Sequence, residues 1–173
     1  MSARGFTLLE LVIYMIIATA LGAVAMLSYK PNETNARYQA ERLRTDLRHA
    51  QMLALSLNAA LRFTATAGLG GSYAVTTLGG ISTGPCTTAA LTDPATSAAF
   101  SVTLDPALTL AVASGANPVD FDSLGRPVTC VGNPCTCTLA TASEPVTSYT
   151  VAGGSSTYTV SLSRYSGFAS VTP

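Results

Sequence analysis

Four cysteines, one histidine, a pair of aspartates and one carboxylate inside an apolar run are the residues of this chain that could do chemistry. Cys86 stands alone, while Cys130, Cys135 and Cys137 cluster. Four thiolates can hold zinc, but zinc modules use paired Cys-x₂₋₄-Cys spacings, and Cys130-x₄-Cys135-x-Cys137 with a remote fourth member fits them poorly. Two disulfides are the alternative, and the sequence does not choose among their three connectivities. Cys135–Cys137 is the least favourable direct pair, because alternate residues of a strand are too constrained to bridge easily. His49 has no second His or Cys at ligand spacing and reads as an ordinary helix residue. Asp120 and Asp122 read as two acids of a turn, explained without catalysis. With no His-containing triad, no Walker or Rossmann glycine pattern and no metal set, neither an enzyme nor a cofactor is expected.

The remaining carboxylate is Glu10, the one charged residue between Phe6 and Leu27. That run, as an α-helix, would be about 33 Å long, against a hydrocarbon core of roughly 30 Å. Arg4 precedes it and Lys30 follows. A plain anchor and a secretory signal peptide cut after Ala18-Thr19-Ala20 are the bland readings. Glu10 argues against the second, because a carboxylate in the apolar core costs up to roughly 3 kcal/mol on insertion scales. A segment destined for removal has no reason to carry that cost.

Two further elements must come after it. Pro31 predicts a kink or break around Tyr29–Asn32, with Asn32 able to cap a restart and a continuous bent helix equally open. Leu43, Leu47, Ala50, Ala54, Leu57 and Leu61 then recur at helical spacing, with Arg37, Glu41, Arg42, Arg44, Asp46 and Arg48 between them. Glu41 and Arg44 are spaced to pair. From Thr64 on, Thr and Ser supply 34 of the last 110 residues. Strands are expected at Leu61–Ala65, Tyr73–Leu78, Phe100–Leu104, Leu108–Val112, Val119–Phe121, Val128–Val131, Thr136–Leu139, Ser148–Val151, Thr157–Ser163 and Phe168–Val171. Gly70-Gly71, Gly79-Gly80, Asp93-Pro94, Asp105-Pro106, Asn117-Pro118 and Gly153-Gly154 mark turns between them. The expected class is α+β: a long N-terminal transmembrane helix (6–30), its amphipathic second half (31–62), and an antiparallel β domain (63–173) packed on it. Nine Lys+Arg balance nine Asp+Glu, and charged residues make up only 10% of the chain. That balance excludes a globally basic nucleic-acid binder and an acidic tail.

Gly5-Phe6-Thr7-Leu8-Leu9-Glu10, followed by an unbroken apolar helix, resembles the type IV prepilin signature of pilins and pseudopilins. The resemblance implies a leader of residues 1–5, cleavage between Gly5 and Phe6 by a prepilin peptidase, and methylation of the new amine at Phe6. It assigns Glu10 to subunit assembly by pairing with that amine, in the same chain or its neighbour. Leu43-Arg44-Thr45-Asp46-Leu47-Arg48-His49-Ala50-Gln51-Met52-Leu53-Ala54, then Asn58 and Arg62-Phe63, is one further point of likeness. Val119-Asp120-Phe121-Asp122-Ser123-Leu124-Gly125-Arg126-Pro127 is another, and reads as a hairpin. Asp122 suits an Asx-turn, Gly125 a positive φ, and Pro127 the return strand. Together they resemble the GspH/FimT group of minor pseudopilins and minor pilins, including components of mannose-sensitive haemagglutinin type pili. About a third of the chain carries the likeness.

The resemblance implies a type IV pilin-like fold, an inner-membrane protein with a periplasmic domain, and passage into a pilus or pseudopilus. Its partners would be the major pilin or pseudopilin, other minor subunits and the peptidase. An oxidising compartment favours two disulfides, expected as a staple from Cys86 to the Cys130–Cys137 hairpin with the remaining two closing it. The C-terminal disulfide loop of major pilins is absent, which favours a minor subunit. The role expected is filament initiation or tip assembly, with a minor pseudopilin of a type II secretion system and a DNA-binding minor pilin as alternatives. After Phe63 only Arg126 and Arg164 stand against Asp93, Asp105, Asp120, Asp122 and Glu144. A domain of that charge neutralises few phosphates, which speaks against nucleic acid.

Overall fold

The computed structural model describes residues 7–28, 30–94, 96–139, 146–164 and 166–173. The chain divides into two compact units, Met1–Pro31 and Asn32–Pro173. In the first, α1 (Leu8–Ser28) holds one acid, Glu10, and no basic residue in its last turn. Leu8, Leu9, Leu11, Ile13, Ile16 and Ile17 are all exposed, so the helix is apolar all round rather than on one stripe. Among the described residues no helix is long and apolar enough to cross a membrane.

The second helix, α2, runs Pro31–Leu57. It restarts one residue before the expected cap at Asn32, because Pro31 occupies the first turn, where a missing N–H costs nothing. Ala36, Ala40, Leu43, Leu47, Ala50, Leu53 and Ala54 form its buried stripe. The expected stripe ran on through Leu57 and Leu61, but Leu57 is 49% exposed and Leu61 lies on a strand. Asn58 ends the helix with φ 48°, Ala59 N donating to Ala54 O and Asn58 N to Leu55 O. That is a Schellman-type end with Asn in the left-handed position. The periodicity continues past it only because Leu61 happens to fall in phase.

Among the described residues twelve strands follow: β1 (Leu61–Thr66), β2 (Gly68–Leu69), β3 (Ser72–Gly79), β4 (Thr87–Ala90), β5 (Ser101–Thr103), β6 (Thr109–Gly115), β7 (Val119–Phe121), β8 (Pro127–Val131), β9 (Thr136–Leu139), β10 (Thr147–Gly153), β11 (Ser156–Leu162) and β12 (Ala169–Thr172). Ten lie where they were expected; β2 and β4 were not. One sheet orders its strands β4-β3-β1-β7-β8-β9, with β5 also on β3, and the other β12-β11-β10-β6-β2. Every pairing between strands is antiparallel. Alternation sets the inner faces, as with Leu61, Phe63 and Ala65 on β1 and Tyr149, Val151 and Gly153 on β10.

The main core joins the α2 stripe to both sheets. At its centre Phe63 stacks on Tyr73 at 5.4 Å and meets Tyr149 of the other sheet at 5.6 Å. A second, smaller cluster holds Ala60, Leu78, Val128, Cys130 and Cys135, with Cys86 and Cys137 packed against it.

Candidate functional site

Gly5 and Phe6, the residues of the cleavage and methylation reading, lie outside the described residues. The chain directly after them is ordered by a cap. Glu10 N donates to Thr7 Oγ1 at 3.3 Å and Leu11 N to Thr7 O at 3.2 Å. Thr7 is thus the N-cap of α1 and Glu10 its third helical residue, the spacing of a capping box. A carboxylate there also favours the positive end of the helix dipole. The capping role of Thr7 was not read from the sequence, although Thr-x-x-Glu before an apolar run is its signature.

The outward flank of α2 is polar, and much of it is already engaged. Arg44 pairs with Glu41 at 2.8 Å. Arg42 approaches Asp46 at 3.8 Å, and Asp46 accepts the Tyr73 hydroxyl at 2.6 Å. Burial pushes the Tyr73 hydroxyl well above its ordinary pKa, and the hydrogen bond to Asp46 adds to the shift. His49 lies 5.5 Å from the Phe100 ring, an apolar neighbour rather than a ligand partner. Among the described residues no group of three or more His, Cys, Asp or Glu is placed to hold a metal.

One turn further along, α2 clasps two loops from opposite sheets. Arg48 Nη2 donates to Ala169 O at 2.9 Å and lies 4.3 Å above the Phe168 ring. Gln51 Nε2 donates to Gly125 O at 2.7 Å and to Ser166 O at 2.9 Å. The first of these loops is the β7–β8 hairpin. Asp122 Oδ1 accepts from Leu124 N at 2.9 Å and from Arg126 N at 2.8 Å, and Oδ2 binds the Arg126 guanidinium at 2.7 Å. Gly125 has φ 70°, and a Cβ there would press on Gln51 and Leu55. Pro127 opens β8.

Asp120 is not a turn residue. It lies on β7, 3% exposed, and Arg62 of β1 binds it through both Nε (2.6 Å) and Nη2 (2.9 Å). Arg62 also reaches Cys130 O at 3.1 Å, while Cys130 N donates to Asp120 at 3.0 Å. The sequence hint was available in hindsight: Asp120 is flanked by Val119 and Phe121, and Arg62 by Leu61 and Phe63, so each interrupts an apolar strand. Beside this pair, Cys130 bonds to Cys137 and Cys86 to Cys135, with no free cysteine. The Cys86 loop is also held by its backbone, Ser82 N to Cys135 O at 2.9 Å and Cys135 N to Gly84 O at 2.6 Å.

These contacts interlock α2, the two hairpin loops and the disulfide cluster into one scaffold. Comparison with curated proteins and with solved structures gives no match. The family model described as type II transport protein GspH matches residues 39–167. The match spans α2 from Gln39, both sheets through β11, the Asp122 hairpin and both disulfides. With well over half of its length matched, the chain belongs to the GspH family.

Proposed function

We propose that the protein is a minor subunit of a pilin-like filament, either the pseudopilus of a type II transport machine or a related type IV pilus. It enters the membrane through the apolar segment 6–30, is cut after Gly5, is methylated at Phe6, and takes a structural part in filament initiation or tip assembly. The observation that carries the reading is α1, whose large side chains are apolar all round with Glu10 as the single acid. A helix of that kind is stable only in a core or in lipid. Membership of the GspH family supports the same placement. The new amine at Phe6 would need a partner in a low-dielectric setting, and Glu10 stands one turn away.

Two experiments test this. Glu10→Leu should still insert into the membrane but enter filaments about tenfold less or worse, since it leaves a buried amine unpaired; normal incorporation would remove Glu10 from assembly. Cross-linking in the native membrane from Arg44, followed by mass spectrometry of the trapped neighbours, identifies the machine. Secretion pseudopilins as neighbours make the protein a tip or piston component. Pilus subunits make it a minor pilin, and the absence of any filament neighbour overturns the reading.

A further inference from the structure

The two loops that α2 clasps spend their polar atoms on the clasp itself. Gln51 Nε2 donates to Gly125 O and Ser166 O, Asp122 closes its own turn and binds Arg126, and Phe168 N donates to Ser166 Oγ at 3.1 Å. The large apolar side chains of the same segments are left outside. Met52, Leu55, Leu124 and Phe168 are each between 50% and 61% exposed, and grouped apolar exposure of that kind marks an interaction site.

The four belong to one surface. Arg48, Met52 and Leu55 follow one another on α2 at spacings of four and three, which puts them on one face. Leu55 packs beside Gly125, where a Cβ would lie 3.2 Å from its Cγ, and Leu124 is the neighbouring residue of that turn. Phe168 lies under the Arg48 guanidinium at 4.3 Å, and Gly167 before it rests on Gln51. The patch thus bridges the β7–β8 hairpin of one sheet, α2, and the β11–β12 loop of the other. Hydrogen bonds hold both loops in place, so a partner meets a preformed surface and orders little on binding. Phe, Met, Leu and Arg together are also the make-up of an interface core rather than of ordinary surface.

Charge selects what covers it. Arg44, one turn back, is balanced by Glu41, and Arg126, two residues from Leu124, by Asp122. Arg164 of the Phe168 loop has contacts of its own. Arg48 faces a carbonyl and a ring among the described residues, and neither cancels its charge. A two-fold contact between copies would bring two Arg48 side chains into the same desolvated interface, which disfavours it. At an anionic lipid surface one cation is worth only about fivefold in affinity. A carboxylate of another protein can take the remaining guanidinium N–H groups in a charge-assisted pair.

We propose that the face formed by Arg48, Met52, Leu55, Leu124 and Phe168 docks another protein, through a segment with a large apolar side chain next to an Asp or Glu on the same face. The apolar side chain covers Met52, Leu55 and Leu124, and the carboxylate binds Arg48 while Arg48 stays over Phe168.

The test uses the full-length chain in its native membrane with a photoreactive amino acid at Leu124, and at the exposed Thr103 of β5 as the control site. The cross-linked peptide is then sequenced by mass spectrometry. Leu124 should trap a segment of another protein with the apolar and acidic pair, about tenfold or more above Thr103. Two substitutions at an exposed position read the charge. Met52→Asp should lower the yield about tenfold, and Met52→Lys, which removes the same apolar contact but adds a cation, should lower it less. Intact Cys86–Cys135 and Cys130–Cys137 bonds in both variants show that the fold is kept. Equal loss from the two substitutions, a trapped segment with no acid beside its apolar residue, a second copy of this chain, lipid alone, or no yield above Thr103 would each overturn the proposal. Neighbours trapped from Arg44 decide the filament reading and the chemistry of the segment trapped at Leu124 decides this one, so the two fail separately.

Discussion

Among the described residues the main core gathers 25 buried residues from α2, both sheets and the chain flanking their strands, while the cluster beneath the β8–β9 hairpin gathers five, two of them cysteines. The first is closed by burial of large side chains, Phe63, Tyr73, Tyr149 and the leucines of α2 among them. The second has Leu78 and Val128 as its largest apolar members and is closed by covalent bonds. A core that small cannot offset the entropy of the loops around it without staples. One chain thus holds itself by two different means, divided along β1 and β7, where the Arg62–Asp120 pair forms the seam.

The largest expected effect lies in the main core. Phe63→Ala removes the ring that joins the two sheets and should cost about 3–5 kcal/mol, read as a fall in the urea midpoint under oxidising and reducing conditions alike. A small loss would mean that the sheets do not share one core. The double variant Cys86→Ser/Cys135→Ser should cost up to about 4 kcal/mol, and the matching removal of Cys130–Cys137 about 2, from the lengths of the loops closed. Equal costs would break the view that the long staple does most of the work. Arg62→Met leaves a buried carboxylate with only the Cys130 N–H and should cost about 2 kcal/mol. Adding Asp120→Leu should recover most of that, since a buried pair is costly to break but cheap to replace.

The smallest effect is nil at neutral pH. Burial pushes the Tyr149 hydroxyl from 10.0 to about 12, and Tyr73 is raised as well. A group held protonated by folding contributes its full stability below the unfolded pKa and loses it as pH climbs through the folded one. Stability should therefore fall from about pH 10 upward, and Tyr149→Phe should flatten the decline. An unchanged slope would place the alkaline weakness elsewhere.

Legibility in the sequence kept to the same division. The α2 stripe, ten strands and the Asp122 hairpin could be read because periodicity and turn chemistry are local signals. β4 could not, since Thr87, Thr88, Ala89 and Ala90 are all exposed and carry no alternation. The Arg62–Asp120 pair was missed because its members lie 58 positions apart, and a carboxylate near Gly125 and Pro127 looked like turn chemistry. The helix end was placed too late because Leu61, in phase with α2, serves β1 instead.

Gln51 ties the two sheets together through one atom. Its single amide nitrogen holds Gly125 O of one sheet's hairpin and Ser166 O of the other sheet's loop. Deamidation would exchange that nitrogen for oxygen, with no change of shape, and set a negative acceptor against two carbonyl oxygens. The clasp between the sheets would then become a wedge, so this one side chain makes the fold sensitive to chemical ageing at a single atom.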